Sequence, residues 1–270
     1  MPYVSHPGFR VHYEVDGAGP PLVLRHGLGY RVEDWYTSGW AQALRSDYRL
    51  ILIDPRGQGQ SDKPHHRPDR YSRELMAEDV VKVLDDLGIA KAHYLGYSQG
   101  AIVGFPLARI APDRFMSYIF IGGFPHQVSE EGRARGIQRL ASLRGGGMEA
   151  YIRDMEARPG DGPMPPQLRD LYFQNDVEAL AAVIQAMNES PDYQDIVPTI
   201  AAPCLVLAGD AGGAVFSLSK DFAALLPNGA FVPLPGLTHR QEFEHSGVVR
   251  PHVTQFLAEV SQSVGSELPK

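Results

Sequence analysis

The chain has 270 residues, of which 43% are hydrophobic and 21% charged, and a formal net charge of −7. That balance is globular, and the acidic charge excludes a nucleic-acid surface, which needs a basic stripe to displace counterions. The one cysteine, Cys204, rules out an internal disulfide and, inside the run Cys204-Leu205-Val206-Leu207-Ala208, reads as a small buried hydrophobe.

No stretch reads as a charged start followed by an apolar signal core, and no apolar run approaches the roughly 20 residues of a membrane helix. The expectation is a cytoplasmic monomer or homodimer acting on a small molecule, with no nucleic-acid or membrane partner.

Val4 to Val15 alternates around Gly8 and predicts a β-hairpin, closed by the turn cluster Asp16 to Pro21. Leu22-Val23-Leu24 is a short buried strand ending at His26-Gly27-Leu28-Gly29. A short helix is expected over Trp40 to Leu44, then the strand Leu50 to Ile53 and the segment Asp54-Pro55-Arg56-Gly57-Gln58-Gly59-Gln60-Ser61. Leu75, Val80, Val83, Leu84 and Leu87 recur at helical spacing, with Gly88 as the stop. Ala92 to Leu95 is a strand, Gln99 to about Ile110 a helix, and Tyr118 to Ile121 a strand.

The alternation then breaks. From about Phe124 to Pro198 the sequence offers only helical stretches, divided by Gly145-Gly146-Gly147 and by Pro159 to Pro166. It resumes with the strand Cys204 to Ala208, a helix over Asp221 to Leu226, the strand Phe231 to Leu234 and a helix from Val248 to about Val260. Strands alternating with helices imply right-handed crossovers and a mostly parallel sheet, here with a helical insertion.

Gly96-Tyr97-Ser98-Gln99-Gly100 fits Gly-x-Ser-x-Gly between an expected strand and an expected helix. In that context the serine sits on a sharp turn with its hydroxyl exposed at the carboxyl end of the sheet. Gly236-Leu237-Thr238-His239 follows the last expected strand and brings a histidine back over the sheet. His65, His66, His93, His245 and His252 lack that strand-turn setting. A neutral imidazole at His239 can take the Ser98 proton and return it to a leaving group.

With His26-Gly27-Leu28-Gly29 and Asp54 to Ser61, these make four motifs in one order, each at a strand end. In this the chain resembles the α/β-hydrolase superfamily, in its branch with a helical cap after the sixth strand. The resemblance covers nearly the whole length. It implies an eight-stranded, mostly parallel sheet flanked by helices, with the core at 1–124 and 199–270 and the cap at 125–198. It also implies Ser98 as nucleophile, His239 as base, and an oxyanion hole from the backbone N–H groups of Leu28 and Gln99. Asp54 reads as a brace beneath the site rather than as a member of it.

The third member is where the chain departs from the pattern. The seventh strand runs into Gly209-Asp210-Ala211-Gly212-Gly213, with glycine at position 212 where the acid is expected. The sixth strand ends at Gly122-Gly123, also without a carboxylate. Three readings stand open: Asp210, the one carboxylate in that loop, supports His239; the site runs as a Ser–His dyad; or it binds a ligand without turnover. Asp210 is taken as the candidate acid, and Glu242 and Glu244 are expected to point elsewhere.

A serine nucleophile suits acyl transfer at a carbonyl, not the displacement at saturated carbon that dehalogenases and epoxide hydrolases of this fold perform with a carboxylate. The expected substrate is a small carboxylic ester or lactone. A cofactor-free carbon–carbon hydrolase or a haloperoxidase-like enzyme is the alternative. Phe124, Met148, Tyr151, Met155, Leu171, Tyr172, Phe173 and Met187 are candidate pocket walls, as is Trp35; Trp35 and Phe124 are taken as substrate-binding. Arg133, Arg135 and Arg139 fall at near-helical spacing and read either as a substrate-carboxylate contact or as a solvated helix face. No ligand-spaced cluster suggests a metal, and no cofactor is expected.

Overall fold

Residues 2–65, 67–126 and 129–266 are described by a computed structural model, with side chains to residue 262; His66 lies outside them. Strands β1 (Tyr3–His6) and β2 (Phe9–Asp16) form the expected hairpin. Then come β3 (Pro21–Arg25), α1 (Val32–Thr37), α2 (Trp40–Leu44), β4 (Arg49–Ile53), α3 (Arg73–Asp86), β5 (Ala92–Tyr97), α4 (Gln99–Ile110) and β6 (Phe115–Ile121). The segment between sheet strands holds α5 (Glu130–Glu156), α6 (Pro166–Phe173) and α7 (Val177–Asn188). The chain closes with β7 (Cys204–Gly209), α8 (Ala214–Ala223), β8 (Gly229–Leu234), α9 (Gln241–Glu244) and α10 (Ser246–Ser266).

The eight strands form one sheet in the order β1-β2-β4-β3-β5-β6-β7-β8. Pairing is antiparallel from β1 through β2 to β4 and parallel from there to β8. Alternate side chains of the central strands feed two apolar layers. Val23 and Ile51 join Val80 and Val83 of α3, Val103 of α4 and Phe222 of α8. Leu22, Leu24, Leu50 and Leu52 join Trp35, Trp40 and Leu44 on one end and Val253 and Leu257 of α10 on the other. The second layer continues into Leu143, Tyr151, Ile152, Tyr172 and Leu180 of the helical segment, which thus packs as an extension of the core.

Three local features differ from the sequence-based expectation. The helix through the triple glycine continues past Gly145 and Gly146 and breaks only at Gly147, at φ 63° and ψ −158°. Helix α8 starts seven residues before the expected Asp221, directly after Gly213 at φ 63°. Helices α1 and α9 are one or two turns long, too short for an apolar period to register. None of the helices is long and apolar enough to cross a membrane, among the described residues.

Two buried carboxylates near the β3–α1 loop sit in opposite environments. Burial alone would push the Asp54 carboxyl up. His12 at 2.8 Å and His26 at 3.4 Å, with the amides of Val32 and Gln60 at 2.9 Å each, hold it below the usual carboxylate range instead. Asp34 accepts the Arg31 amide at 2.8 Å, but its other oxygen has no hydrogen-bond partner, and burial pushes its pKa up to about 7. The signs therefore oppose. Ionised Asp54 stabilises the fold above the unfolded carboxylate pKa, and that contribution is lost on acidification. Asp34 favours the fold while protonated, an advantage lost as pH rises from about 4 towards 7. In urea titrations at a series of pH values, Asp34→Asn should gain about 1–2 kcal/mol at pH 8, the gain fading towards pH 4. Asp54→Asn should cost about 3 kcal/mol at neutral pH.

Candidate active site

Ser98 joins β5 to α4 at φ 53° and ψ −112°, the one non-glycine with positive φ among the described residues. Such a backbone persists only where its surroundings over-determine it. A Cβ on Gly96 would lie 2.4 Å from the Gly100 carbonyl carbon, and one on Gly100 would lie 2.0 Å from the Arg25 oxygen. Strand and helix thus approach at a distance that only glycine permits, and the Ser98 amide is fixed by donation to the Ile121 carbonyl at 2.8 Å.

Ser98 Oγ lies 2.8 Å from His239 Nε2. On the far side of the ring, Nδ1 lies 2.9 Å from Glu242 Oε2. The carboxylate of Glu242 is fully buried and its Oε1 accepts the Gly209 amide, at the end of β7, at 2.8 Å. An Nδ1–H donating to Glu242 leaves Nε2 as the acceptor for the Ser98 hydroxyl. Tyr97 fixes the histidine from below: its hydroxyl donates to the His239 carbonyl at 2.9 Å, and its ring stacks on the imidazole at 5.3 Å.

The structure does not bring the expected acid to the histidine. Asp210 turns away from His239 and accepts the Gly236 amide at 2.7 Å, bracing the turn after β8. Glu242, expected to point elsewhere, reaches the ring because α9 begins at once after His239, and a helical turn places residues i and i+3 on one face. The sequence held a signal for that turn. Thr238-His239-Arg240-Gln241 is a capping box: the Thr238 amide donates to Gln241 Oε1 at 3.0 Å and the Gln241 amide to Thr238 Oγ1 at 3.4 Å. Of the glycines at the two expected acid positions, Gly122 makes room for Glu242, whereas at Gly212 a side chain would meet it only at ordinary contact distance. A Cβ at Gly122 would lie 2.0 Å from Glu242 Oε2, and one at Gly212 would lie 3.8 Å from Oε1.

The Leu28 and Gln99 amides find no acceptor among the described residues. Their neighbours are fixed. The Leu28 carbonyl accepts the Tyr172 hydroxyl at 3.1 Å and the Gly29 carbonyl accepts Asn175 Nδ2 at 2.7 Å. The Gly29 amide donates to Gln58 Oε1 at 2.6 Å, and Gln58 Nε2 donates to the Gln99 side chain at 2.8 Å. Two free N–H groups held beside a serine hydroxyl can receive a developing oxyanion without reorganisation.

A cavity of about 200 Å³ opens over Ser98 and His239. Leu28, Phe124, Tyr151, Met155, Tyr172 and Met187 line it, as do Arg135 and Arg139. Trp35 does not: it is fully buried in the second core layer, edge-on to Trp40 and Phe243, so its expected substrate contact is replaced by a packing role. Phe173 is half exposed, while Met148 packs in the apolar layer away from the cavity.

Residues 20–149 match the family described as the alpha/beta hydrolase fold. A protein of Caulobacter sp. (strain K31) bearing the name "Putative carbamate hydrolase RutD" is 30% identical over 233 residues, covering 81% of this chain and 84% of that protein. The structure of the enol-lactonase from Burkholderia xenovorans LB400 superposes with a TM-score of 0.80 at 26% identity, covering 95% of this chain and all of that one. A carboxylesterase structure from Nitrososphaera gargenis gives a TM-score of 0.86 at 22% identity over 97% of this chain and 100% of that chain, a likeness of fold.

The two candidate acids separate by the reactivity of Ser98 toward a fluorophosphonate, followed by intact mass. Glu242→Gln should slow labelling by about 10³-fold or more, because the imidazole loses its tautomer control. Asp210→Asn should stay within about twofold of the parent, as expected for a change on an exposed turn.

Proposed function

The chain belongs to the alpha/beta hydrolase fold family, and from that premise we propose that it is a serine hydrolase cleaving a small carboxylic ester or lactone through an acyl-enzyme. The observation that carries this reading is the hydrogen-bonded line from Ser98 Oγ through His239 to the buried Glu242 carboxylate. Ser98 Oγ attacks the substrate carbonyl carbon as its proton passes to His239 Nε2. The carbonyl oxygen takes the negative charge, facing the amides of Leu28 and Gln99. The tetrahedral intermediate collapses, the C–O bond to the alcohol breaks, and the leaving oxygen takes the proton from His239. Water then gives a proton to His239 and attacks the acyl carbon. Ser98 leaves with that proton, and a carboxylic acid is released.

Glu242 carries no part of the bond-making. It holds Nδ1 protonated and stabilises the imidazolium of each half-reaction. Its placement also removes the motive for reading the protein as a binder without turnover, which rested on glycine at position 212. Cavity size and lining favour a small substrate with apolar bulk, since about 200 Å³ is below the usual range for drug-sized ligands. The enol-lactonase named above is a neighbour whose name states a lactone substrate.

The reading is tested by rapid mixing with a p-nitrophenyl ester. The expected result is an acyl adduct on Ser98 by mass spectrometry and a fall in turnover of about 10⁴-fold or more in Ser98→Ala, with folding retained. Turnover that survives in Ser98→Ala would assign the chemistry to another group.

A further inference from the structure

The proposed chemistry makes no use of the positive charge around the cavity. Five arginines line it, Arg73, Arg135, Arg139, Arg158 and Arg240, and no carboxylate does among the described lining residues. Two of the five are engaged. Arg135 pairs with Glu131 at 2.9 Å. Arg240 donates to the carbonyls of Asp161 and Gly162 and lies 3.5 Å from Glu244. The other three have no ion pair among the described residues, and the most deeply placed of them is Arg73.

Arg73 opens helix α3 and is 3% exposed. None of its three guanidinium nitrogens has a hydrogen-bond partner. The face of Tyr193 lies 5.9 Å away, and the carboxylates of Glu74, which accepts the Tyr193 hydroxyl, and of Asp192 favour the charged form of Arg73 through space without a hydrogen bond to it. A buried guanidinium without acceptors is strongly disfavoured, and a cation in the first turn of a helix also opposes the helix dipole. Burial lowers its pKa to about 10, which leaves it charged at neutral pH. From the cap side, Arg139 is depressed by burial and by the nearby like charges of Arg158 and Arg135. Fold stability gives no reason to hold these groups together around one cavity. A bound anion does, because a carboxylate offers the fork of acceptors that a guanidinium needs.

We infer that Arg73, with Arg139 and Arg158 from the cap, binds a carboxylate carried by the substrate, so that the preferred substrate is an ester or lactone that is itself a carboxylate anion. The volume of about 200 Å³ places the reacting carbonyl and the anionic group in one small molecule. Half-esters of short dicarboxylic acids fit this description, as do esters of small hydroxy acids. The inference rests on the serine-hydrolase reading.

The experiment compares matched substrates on the intact protein. Monophenyl succinate, glutarate and adipate are set against phenyl butyrate, pentanoate and hexanoate, and 3- and 4-acetoxybenzoate against phenyl acetate. The expected result is a kcat/KM at least about tenfold higher for the anionic member of one or more pairs, carried mainly by KM, with glutarate or benzoate as a competitive inhibitor. Arg73→Met should collapse that ratio towards one and Arg73→Lys should restore part of it. The thermal midpoint of Arg73→Met should be equal to or above the parent's, since an unpaired buried charge is replaced by a hydrophobe of similar length.

Neutral members that match or beat the anionic ones in every pair would overturn the inference, and so would a preference that survives Arg73→Met. Should that variant fail to fold, Arg139→Met and Arg158→Met carry the same comparison from the cap. Failure of the underlying reading has a separate signature: no ester in either set is hydrolysed and Ser98 takes no fluorophosphonate.

Discussion

The hydrogen bond from His239 Nδ1 to Glu242 Oε2 is the constraint around which the carboxyl end of the sheet is arranged. A buried carboxylate is tolerable only if its lone pairs are satisfied, and here one oxygen takes the imidazole and the other takes the last amide of β7. Everything near it follows from that double anchor. Gly122 must be glycine because a side chain there would occupy the Glu242 oxygen itself. The open loop after β7 can end in Gly212-Gly213 because the carboxylate reaches β7 from the other side. The capping box over Thr238 to Gln241 starts the helical turn that brings position 242 under the ring. Phe243, one residue on, then stacks on Tyr97 and meets Trp35, tying the same turn into the second core layer.

Core and cap meet through hydrogen bonds made to the loops that carry the site. Tyr172 and Asn175 hold the Leu28 and Gly29 carbonyls, and Arg31 answers from the core by donating to Gln174 at 2.8 Å and to the Leu171 carbonyl at 2.9 Å. On the opposite side Arg240, next to the histidine, is clasped by the carbonyls of Asp161 and Gly162. Both proposed proton-transfer and oxyanion loops are therefore fixed partly from the cap, and one apolar layer joins residues of α10, the sheet, α5 and α7. A loosened cap would disturb the geometry at Ser98 as well as the entrance to the cavity.

What the sequence made legible, and what it hid, divides by the range of the interaction. Ser98 and its two glycines form a local device whose strand, turn and helix all lie between Ala92 and Ile110, and the alternating apolar strands carry the sheet. Glu242 was hidden by an expectation about position. The resemblance points to the loop after β7 for a carboxylate, and Asp210 is the one carboxylate there. The signal pointing to Glu242 was equally local, a His-x-x-Glu spacing beginning in a capping box, but α9 is only four residues long and has no apolar period. Trp35 illustrates the reverse error: an aromatic near the oxyanion loop looks like a pocket wall until the edge-on ring of Trp40 takes the space. Arg73 could not be singled out at all. It stands among 25 basic residues in the sequence, and only the fold shows that it is buried without an acceptor and faces the cavity.

The electrostatics of the cavity run against those of the molecule. A net charge of −7 repels an approaching anion at long range, but beyond a Debye length of about 8 Å that field is largely screened at physiological salt. Inside the cavity the balance inverts, because the charged groups that line it are guanidinium groups. Association with an anionic substrate therefore gains little from steering, and discrimination is exerted after entry, where a desolvated carboxylate meets Arg73. Contacts of that kind are screened far less than surface pairs, so a preference arising from them should hold across ionic strength. The same isolation from solvent that makes Arg73 unfavourable in the empty fold is what makes its pairing with a substrate selective.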